Sequence, residues 1–451
     1  MKTSKNVRSL SAAIQAGDLS AEASVMEKLE LAQKSDSIFV SINEKIMDQA
    51  REVDRAVESG KSLPPLSGIP ITLKDLFDVE GETTLAGSVV LKHFAKPAVK
   101  DCQVVMSLRN AGLLFLGRTN MSEFAFSGMG MNPHYGIPKS IWDRDTGRLP
   151  GGSSSGSAVS VAENIVSVTM GSDTAGSCRV PAAFNGIVGV KPSFGRLSLE
   201  GIYPLSPTSD APGPLGIDVD SCYIIDQLIS GVWDGRGPIP ELSVVDPAGI
   251  KLVIPESIVM DELDEEVLKD FQRSVKMLQD KGFIIENVEM GVIDQCVDMF
   301  STRAVAGYEA LQHHRELLEQ YGDEYDPFVY NRIIKFNAVT DEEQHSRYQH
   351  KGKLRQEFEY QMKVLNADAV IFPTTPCIPP AISEAQIPEK TAGINLRNLR
   401  NTCSANYFDG CSMSLPMHQP GNAPTGLMIS SINGADIHLY EIGFAIEAKL
   451  E

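Results

Sequence analysis

Val267, Phe271, Val275 and Leu278 recur at helical spacing in DEEVLKDFQRSVKMLQDKGFIIENVEM, and the run after Gly282, FIIENVE, is short, β-branched and strand-like. The same alternation runs along the chain. SAEASVMEKLELAQKS and EKIMDQAREVDRAVESG are rich in helix formers, the second ending at Gly60 as helices commonly do, so the first 60 residues read as helical. SGIPITLKDLF predicts a strand over 69–73. DCQVVMSLRNAGLLFLGRTN predicts a helix stopped near Gly112 and a strand over 113–116, and SAVSVAENIVSVTMG repeats the unit. Residues 295–365 are more uniformly helical and charged, ADAVIFPTTP reads as a buried strand, and ADIHLYEIGFAIEAKLE as a closing helix. Helix and strand alternating in this way predict an α/β fold, a sheet covered by helices. No internal repeat of fixed period stands out. The expected organisation is an N-terminal helical segment over 1–60, a core over 61–250, a helical cap over 251–370 and a C-terminal part, 371–451, that completes the core.

Composition narrows the function classes. Forty basic against 59 acidic side chains leave a net charge of −19, which repels phosphate backbones and anionic membrane surfaces, so neither nucleic acid nor membrane is an expected direct partner. The seven cysteines are scattered, odd in number and never in a CxxC spacing, which argues against a disulfide framework or a zinc site and for a reducing compartment. The N-terminal MKTSKNVRSLSAAIQAG has no apolar run of signal-peptide length, and no segment approaches the roughly 18 apolar residues of a membrane span. A cytoplasmic protein is expected.

One stretch resists the reading of a plain connector. GGSSSGSA, from Gly151 to Ala158, has the composition of a flexible linker. It runs, however, straight into an Ala/Val helix and strand and then into a second Gly/Ser/Asp turn, GSDTAGSCRVPAA. Two such turns bracketing one helix and one strand suggest a site. The first supplies hydroxyls on backbone that glycine lets approach closely. In the second, successive N–H groups from Asp173 to Ser177 can converge where a helix begins, an anion or oxyanion cradle.

These two turns, with GIPITLKD upstream, resemble the amidase signature family of serine hydrolases. Further similarity runs through LGRTNMSEFAF, NPHYG, IVGVKPSFGRLS and SPTSDAPGPL, so the resemblance is strong over about residues 65–230 and returns at DAVIFPTTP and GLMISSING. It implies a mixed twisted central sheet with helices on both faces, in one large domain. It also implies a nucleophile at Ser177, a second serine following a cis peptide at Ser153, and a lysine base at Lys74. The oxyanion amides would be those of Thr174, Ala175, Gly176 and Ser177, with Ser154 and Ser172 as supporting hydrogen bonders. Where the family commonly has two glycines before the nucleophile this chain has Ala175 and Gly176, a change expected to restrict the loop and narrow the pocket. Homodimers are common in the family, and a homodimer is expected here.

The chemistry needs these residue types. A serine hydroxyl attacks an amide poorly unless a base removes its proton. Lysine serves only when neutral, and burial among hydroxyls lowers its pKa by disfavouring the charged form. Taken alone Lys74 would be a surface lysine, but it ends an apolar strand. Asp173 and Arg179, which flank the nucleophile, read as a structural ion pair or loop brace. His313 and His314 lie in a charged helix without an HExxH pattern and read as a solvated face; no metal site and no nucleotide cofactor is expected, since GMGMNP lacks the dinucleotide spacing. By resemblance, Arg303, Tyr308 and Arg332 fall where the family lines its acyl pocket; an arginine there suits a substrate carboxylate, although most helix charges face water. Met129 and Met131 suit either the pocket floor or core packing.

The expected activity is hydrolysis of the C–N bond of a small carboxamide or urea-like compound, to a carboxylate plus ammonia or an amine, through an acyl-enzyme. Two alternatives stay open: the glutaminase subunit of a tRNA-dependent amidotransferase, and an inactive binding protein on the same fold. The chain after GPL lacks the Asp- and Ser-rich segment usual in such glutaminase chains, and it ends sooner after its final helix, which favours the first reading; the presence of Lys74, Ser153 and Ser177 disfavours the inactive one.

Overall fold

The computed structural model describes residues 5–450 of the 451. The first four residues of the expected N-terminal segment, and Glu451 of the expected closing helix, lie outside the described residues. Eleven strands form one sheet: β1 Phe39–Ile42, β2 Pro70–Lys74, β3 Leu114–Thr119, β4 Val168–Asp173, β5 Val188–Lys191, β6 Ala211–Gly216, β7 Lys251–Glu256, β8 Ile284–Glu289, β9 Ala369–Pro373, β10 Cys411–Pro416 and β11 Gly426–Ser431. Their order across the sheet is β1-β3-β2-β4-β6-β5-β10-β11-β9-β7-β8. The sheet is mixed. β2 lies parallel to both β3 and β4, and β7 parallel to β8 and β9, whereas β4, β6, β5, β10, β11 and β9 pair antiparallel in succession.

The strands are apolar because both faces are covered. In β9 and β11 the residues Ala369, Ile371, Leu427 and Ile429 pack with Leu439 and Ile442 of the closing helix, Asp436–Leu450. Their alternate neighbours Val370, Phe372 and Met428 pack with Phe358 and Cys403 in a separate cluster. Period-two alternation with apolar residues on both sides is the mark of a strand between two helical layers. The α/β class, the mixed sheet and the single domain expected from the sequence are found.

The strands predicted over 69–73, 113–116, after Gly282 and in ADAVIFPTTP are β2, β3, β8 and β9. Val267, Phe271 and Leu278 are buried along helix Glu265–Asp280, with Val275 partly buried beside them. Two elements differ from the reading. The first 60 residues hold helices Val7–Gln15, Ala21–Lys34 and Ile46–Glu58, but also the four-residue β1, too short to show an alternation and held by pairing to β3. β6, APGPLG, carries no element signal in the sequence, since its prolines cannot donate to a ladder and its composition shows no alternation. It nevertheless lies between β4 and β5, pairing with each. Residues 291–365 are helical, in Gly291–Arg303, Val305–Tyr321, Pro327–Ile334 and Asp341–Leu365, while β7 and β8 before them belong to the sheet.

His313 is exposed as read, but His314 is not solvated. It is buried against Phe124 and Tyr203, its Nδ1 3.0 Å from the Tyr325 hydroxyl, and burial, with His313 adding to it, pulls its pKa down to about 3. The charged neighbours in sequence face outward while position 314 faces Phe124. Among the described residues no helix is long and apolar enough to cross a membrane.

The helix Ser155–Ala162 rises from the Gly/Ser turn and packs on β2, β3, β4 and β6. Its Gly156 sits against backbone: a Cβ there would lie 2.3 Å from the Ile38 carbonyl oxygen and 2.7 Å from the Asn120 nitrogen. Gly156→Ala is therefore expected to destabilise the fold by about 1–3 kcal/mol, the range for overpacking, read as a lowered denaturant midpoint.

Candidate active site

Lys74 is the last residue of β2, and Ser172 the last but one of the parallel neighbour β4. The register that sets Leu73 opposite Met170 brings the two side chains together: Lys74 Nζ donates to Ser172 Oγ at 2.8 Å. A second hydroxyl comes from the Gly/Ser turn, where Lys74 Nζ donates to Ser153 Oγ at 2.7 Å. Lys74 and Ser153 have no solvent exposure. Burial disfavours the ammonium and pulls the Lys74 pKa down to about 8, against the pull of Cys178, Asp173 and Asp210 in the other direction.

The peptide bond Gly152–Ser153 is cis. The glycine pair before Ser153 is required by space: a Cβ on Gly151 would lie 2.8 Å from Pro181 Cα, and one on Gly152 would lie 2.4 Å from the Gly130 nitrogen. Ser154 ties this turn to the next one. Its N–H donates to the Ser177 carbonyl at 3.2 Å, its hydroxyl donates to the Ser172 carbonyl at 3.2 Å and accepts from the Ser172 N–H at 3.4 Å. Ser177 is 5% exposed, and its hydroxyl makes no hydrogen bond among the described residues.

The second turn is held from within by Asp173, whose carboxylate accepts from the Gly176 N–H at 2.8 Å and the Cys178 N–H at 3.1 Å. Arg179 grips the same carboxylate with two bonds, at 2.9 and 3.0 Å, and Asn406 adds a third at 3.0 Å. Burial alone would push the Asp173 carboxyl up; the Arg179 guanidinium, helped by Asn406 and Lys191, brings it down to about 2. Both members of the pair are fully buried. The loop-brace reading of Asp173 and Arg179 thus matches their geometry.

This arrangement corrects the oxyanion assignment at one position. The Gly176 N–H is turned onto Asp173 and is not free for a ligand, which leaves the amides of Thr174, Ala175 and Ser177. Gly176 itself is required, with φ +132° and a Cβ that would sit 2.0 Å from Thr402 Oγ1. Ala175 imposes no such strain. It lies outside the left-handed region, and it packs with Phe300 against Val180, Phe184, Cys377 and Leu399.

The residues read as substrate contacts scatter. Arg303 projects into solvent and pairs with Asp298 at 2.9 Å, so it is no pocket residue. Tyr308 hydrogen-bonds Asp341 at the start of helix Asp341–Leu365, tying two helices together rather than facing the serines. Met129 is fully buried in an apolar cluster with Leu149 and Ala385, and Met131 packs against that cluster: both are core residues. Arg332 alone faces a cavity, with Phe300 and Asn395 among its walls.

Three residues went unassigned in the sequence. Thr402 donates to the Ala175 carbonyl at 2.7 Å, Asn406 joins the Asp173–Arg179 pair, and Asp210 accepts from the Thr174 hydroxyl at 2.5 Å. Burial pushes the Asp210 carboxyl up to about 6 against that hydrogen bond. Thr402 and Asn406 lie more than two hundred residues from their partners and carry no motif, whereas Asp210 falls within SPTSDAPGPL, where a carboxylate among small residues was the available signal.

A mixed sheet with a buried lysine and converging serine turns at the ends of its parallel strands is the frame of an amide hydrolase. The sequence profile of the Amidase family matches residues 22–439, and the chain belongs to that family, a hydrolase acting on C–N bonds other than peptide bonds. It is 30% identical to the 2-amino-5-chloromuconic acid deaminase of Comamonas testosteroni, over 89% of this chain and 86% of that one. It is also 30% identical to the mandelamide hydrolase of Pseudomonas putida, over 91% and 84%. A glutamyl-tRNA(Gln) amidotransferase subunit from Clostridium botulinum is 28% identical over 92% of this chain and 90% of its own. Among solved structures, an amidase superposes with a TM-score of 0.87 at 28% identity, over 99% of this chain and all of the other.

Removing one member of a buried ion pair leaves an uncompensated charge. Asp173→Asn is expected to cost about 3–5 kcal/mol, and the double variant Asp173→Leu with Arg179→Met less than that, both measured by denaturant unfolding.

Proposed function

We propose that this amidase cleaves the C–N bond of a small carboxamide or urea-like substrate with Ser177 as nucleophile, Ser153 as proton relay and Lys74 as base. The observation that carries the reading is the Lys74–Ser153 contact of 2.7 Å in a fully buried site, with the lysine pKa near 8. With that pKa Lys74 is about one-tenth neutral at pH 7 and about half neutral at pH 8, and a neutral amine accepts the proton that Ser153 passes on.

In the proposed sequence Ser177 Oγ attacks the amide carbonyl while its proton moves to Ser153 and that of Ser153 to Lys74. The amides of Thr174, Ala175 and Ser177 receive the oxyanion. Collapse breaks the C–N bond, the proton returns through Ser153 to the departing nitrogen, and an ester on Ser177 remains. Water then attacks the ester while its proton moves through Ser153 to Lys74; the C–O bond to Ser177 breaks, the relay returns the proton to Ser177 Oγ, and the carboxylic acid leaves. Ser172 and Ser154 hold the lysine and the two turns in place.

Lys191 is the rival base, equally buried and also pulled down to about 8 by burial. Its Nζ donates to the carbonyls of Pro192 and Gly410, groups that cannot relay a proton, so it is assigned a structural role. The helices over 291–365 are assigned to the substrate cap. A second reading, glutamine as the amide in a partner-dependent enzyme, is favoured by the similarity to the amidotransferase chain. A cytoplasmic homodimer completes the proposal; the seven cysteines, all free and buried, support a reducing compartment, and light scattering reads the assembly.

Ammonia release across aliphatic, aromatic, urea-derived and amino-acid amides, glutamine included, tests the reading. Ser177→Ala and Lys74→Met are each expected to lower kcat by at least about 10⁴-fold, and persistence of wild-type turnover in Ser177→Ala would sink the assignment. The pH profile gives an independent check. Lys74 must be neutral, so kcat/KM is expected to rise through an apparent pKa of about 8 and to fall about tenfold per unit below it.

A further inference from the structure

A cavity of about 160 Å³ lies between helices Gly291–Arg303, Pro327–Ile334 and Pro388–Leu399, with Phe300, Phe328, Arg332, Lys335, Phe336 and Asn395 in its walls. Its size is about that of an engineered protein cavity that takes up benzene, so it suits a short acyl group rather than a polymer. In a chain of net charge −19, this cavity is lined by two cations and no acidic residue.

Arg332 is the unusual member. Arg118 and Arg179, the buried arginines among the described residues, each hold a buried aspartate, at 3.1 and 2.9 Å. Arg332, half-buried at the cavity wall, has no carboxylate partner among the described residues. Its guanidinium lies 4.1 Å from the centroid of the Phe126 ring and donates once, from Nη1 to the Phe126 carbonyl at 2.5 Å. The rest of its planar fork is unbonded, and burial is what pulls its pKa down, to about 10, leaving it charged. A guanidinium partly withdrawn from water without a counter-ion is costly, and a ligand carboxylate relieves that cost through two parallel bonds.

A short stretch of backbone links the cavity wall to the Ser153 turn. One tripeptide separates them: Phe126 gives its carbonyl to Arg332, and Gly128 gives its carbonyl to the N–H of Gly152, the residue before Ser153, at 3.0 Å. Asn395 accepts from the Gly128 N–H at 2.8 Å, and Phe300 packs in the same apolar cluster as Ala175.

We propose that Arg332 recognises an anionic substrate: an amide whose short acyl chain ends in a carboxylate, which pairs with Arg332 while the amide group lies at Ser177. This rests on the Ser177 reading above.

The test compares succinamate and glutaramate with the uncharged amides of matching shape, 4-methylpentanamide and 5-methylhexanamide, in the wild type, Arg332→Met and Arg332→Lys. The wild type is expected to prefer the anionic amides by roughly 10- to 150-fold in kcat/KM, with the preference collapsing toward unity in Arg332→Met and partly kept in Arg332→Lys. Where the amides are turned over, equal kcat/KM for charged and uncharged amides in the wild type, or a loss in Arg332→Met that is equal for both, overturns the proposal and leaves Arg332 as a brace for the 126–128 loop. Calorimetric binding of succinamate and glutaramate to Ser177→Ala separates the two readings. Binding that disappears when Arg332→Met is added upholds anion recognition even if no amide of the set is turned over, and absence of binding overturns it whatever the turnover.

Discussion

The structure depends on keeping one lysine dry. Lys74 has no solvent exposure, and its ammonium finds only two hydroxyls, Ser153 and Ser172, as hydrogen-bonding partners. Burying a charge this way is unfavourable, and the protein answers by drawing the pKa toward the pH at which the lysine becomes neutral. What holds the side chain there is sheet register. β2 and β4 run parallel and adjacent, so residues at the ends of both strands face the same crevice, the place where open α/β sheets gather ligands. The glycine pair Gly151–Gly152 then brings the Ser153 turn in against Gly130 and Pro181 closely enough to close the third side.

Around that lysine the second turn is stiffened by charge. Asp173, Arg179 and Asn406 form a buried cluster with every carboxylate oxygen in use, and Thr402 holds the Ala175 carbonyl from the far side. A fully satisfied buried network rigidifies what it touches, and here it touches the backbone whose amides are assigned to the oxyanion. The same device explains why Gly176 is a poor donor to a ligand: its N–H belongs to the brace. Polar groups in this region therefore divide by their partners. Lys74 is bonded to hydroxyls that can pass protons, and Lys191 to carbonyls that cannot.

Legibility followed the range of the interactions involved. β2, β3, β8 and β9 were readable because short apolar runs bounded by Gly or Pro report local structure. β6 was not, since two prolines and two glycines give no alternation and only the ladders with β4 and β5 make it a strand. Among the helices over 291–365, composition described each as charged but did not tell which residues turn inward. His314 faces an aromatic cluster and Arg332 a cavity, while Arg303 and Tyr308, in similar sequence, pair with Asp298 and Asp341. Ala175, which looked like a constriction, proved compatible with its loop because its backbone stays out of the left-handed region.

By itself the sequence determined the fold class, the alternation of helix and strand in its strongly patterned segments and the three motifs bearing Lys74, Ser153 and Ser177, because apolar periodicity and glycine-rich turns are local properties of the chain. Tertiary structure alone decided that the Gly176 amide is taken up by Asp173, that Thr402, Asn406 and Asp210 support the turn at 173–177, and that Arg332 lacks a counter-ion among the described residues. Those features arise from contacts between segments, several of them more than two hundred residues apart, which packing of the sheet and its helices creates and no local pattern encodes.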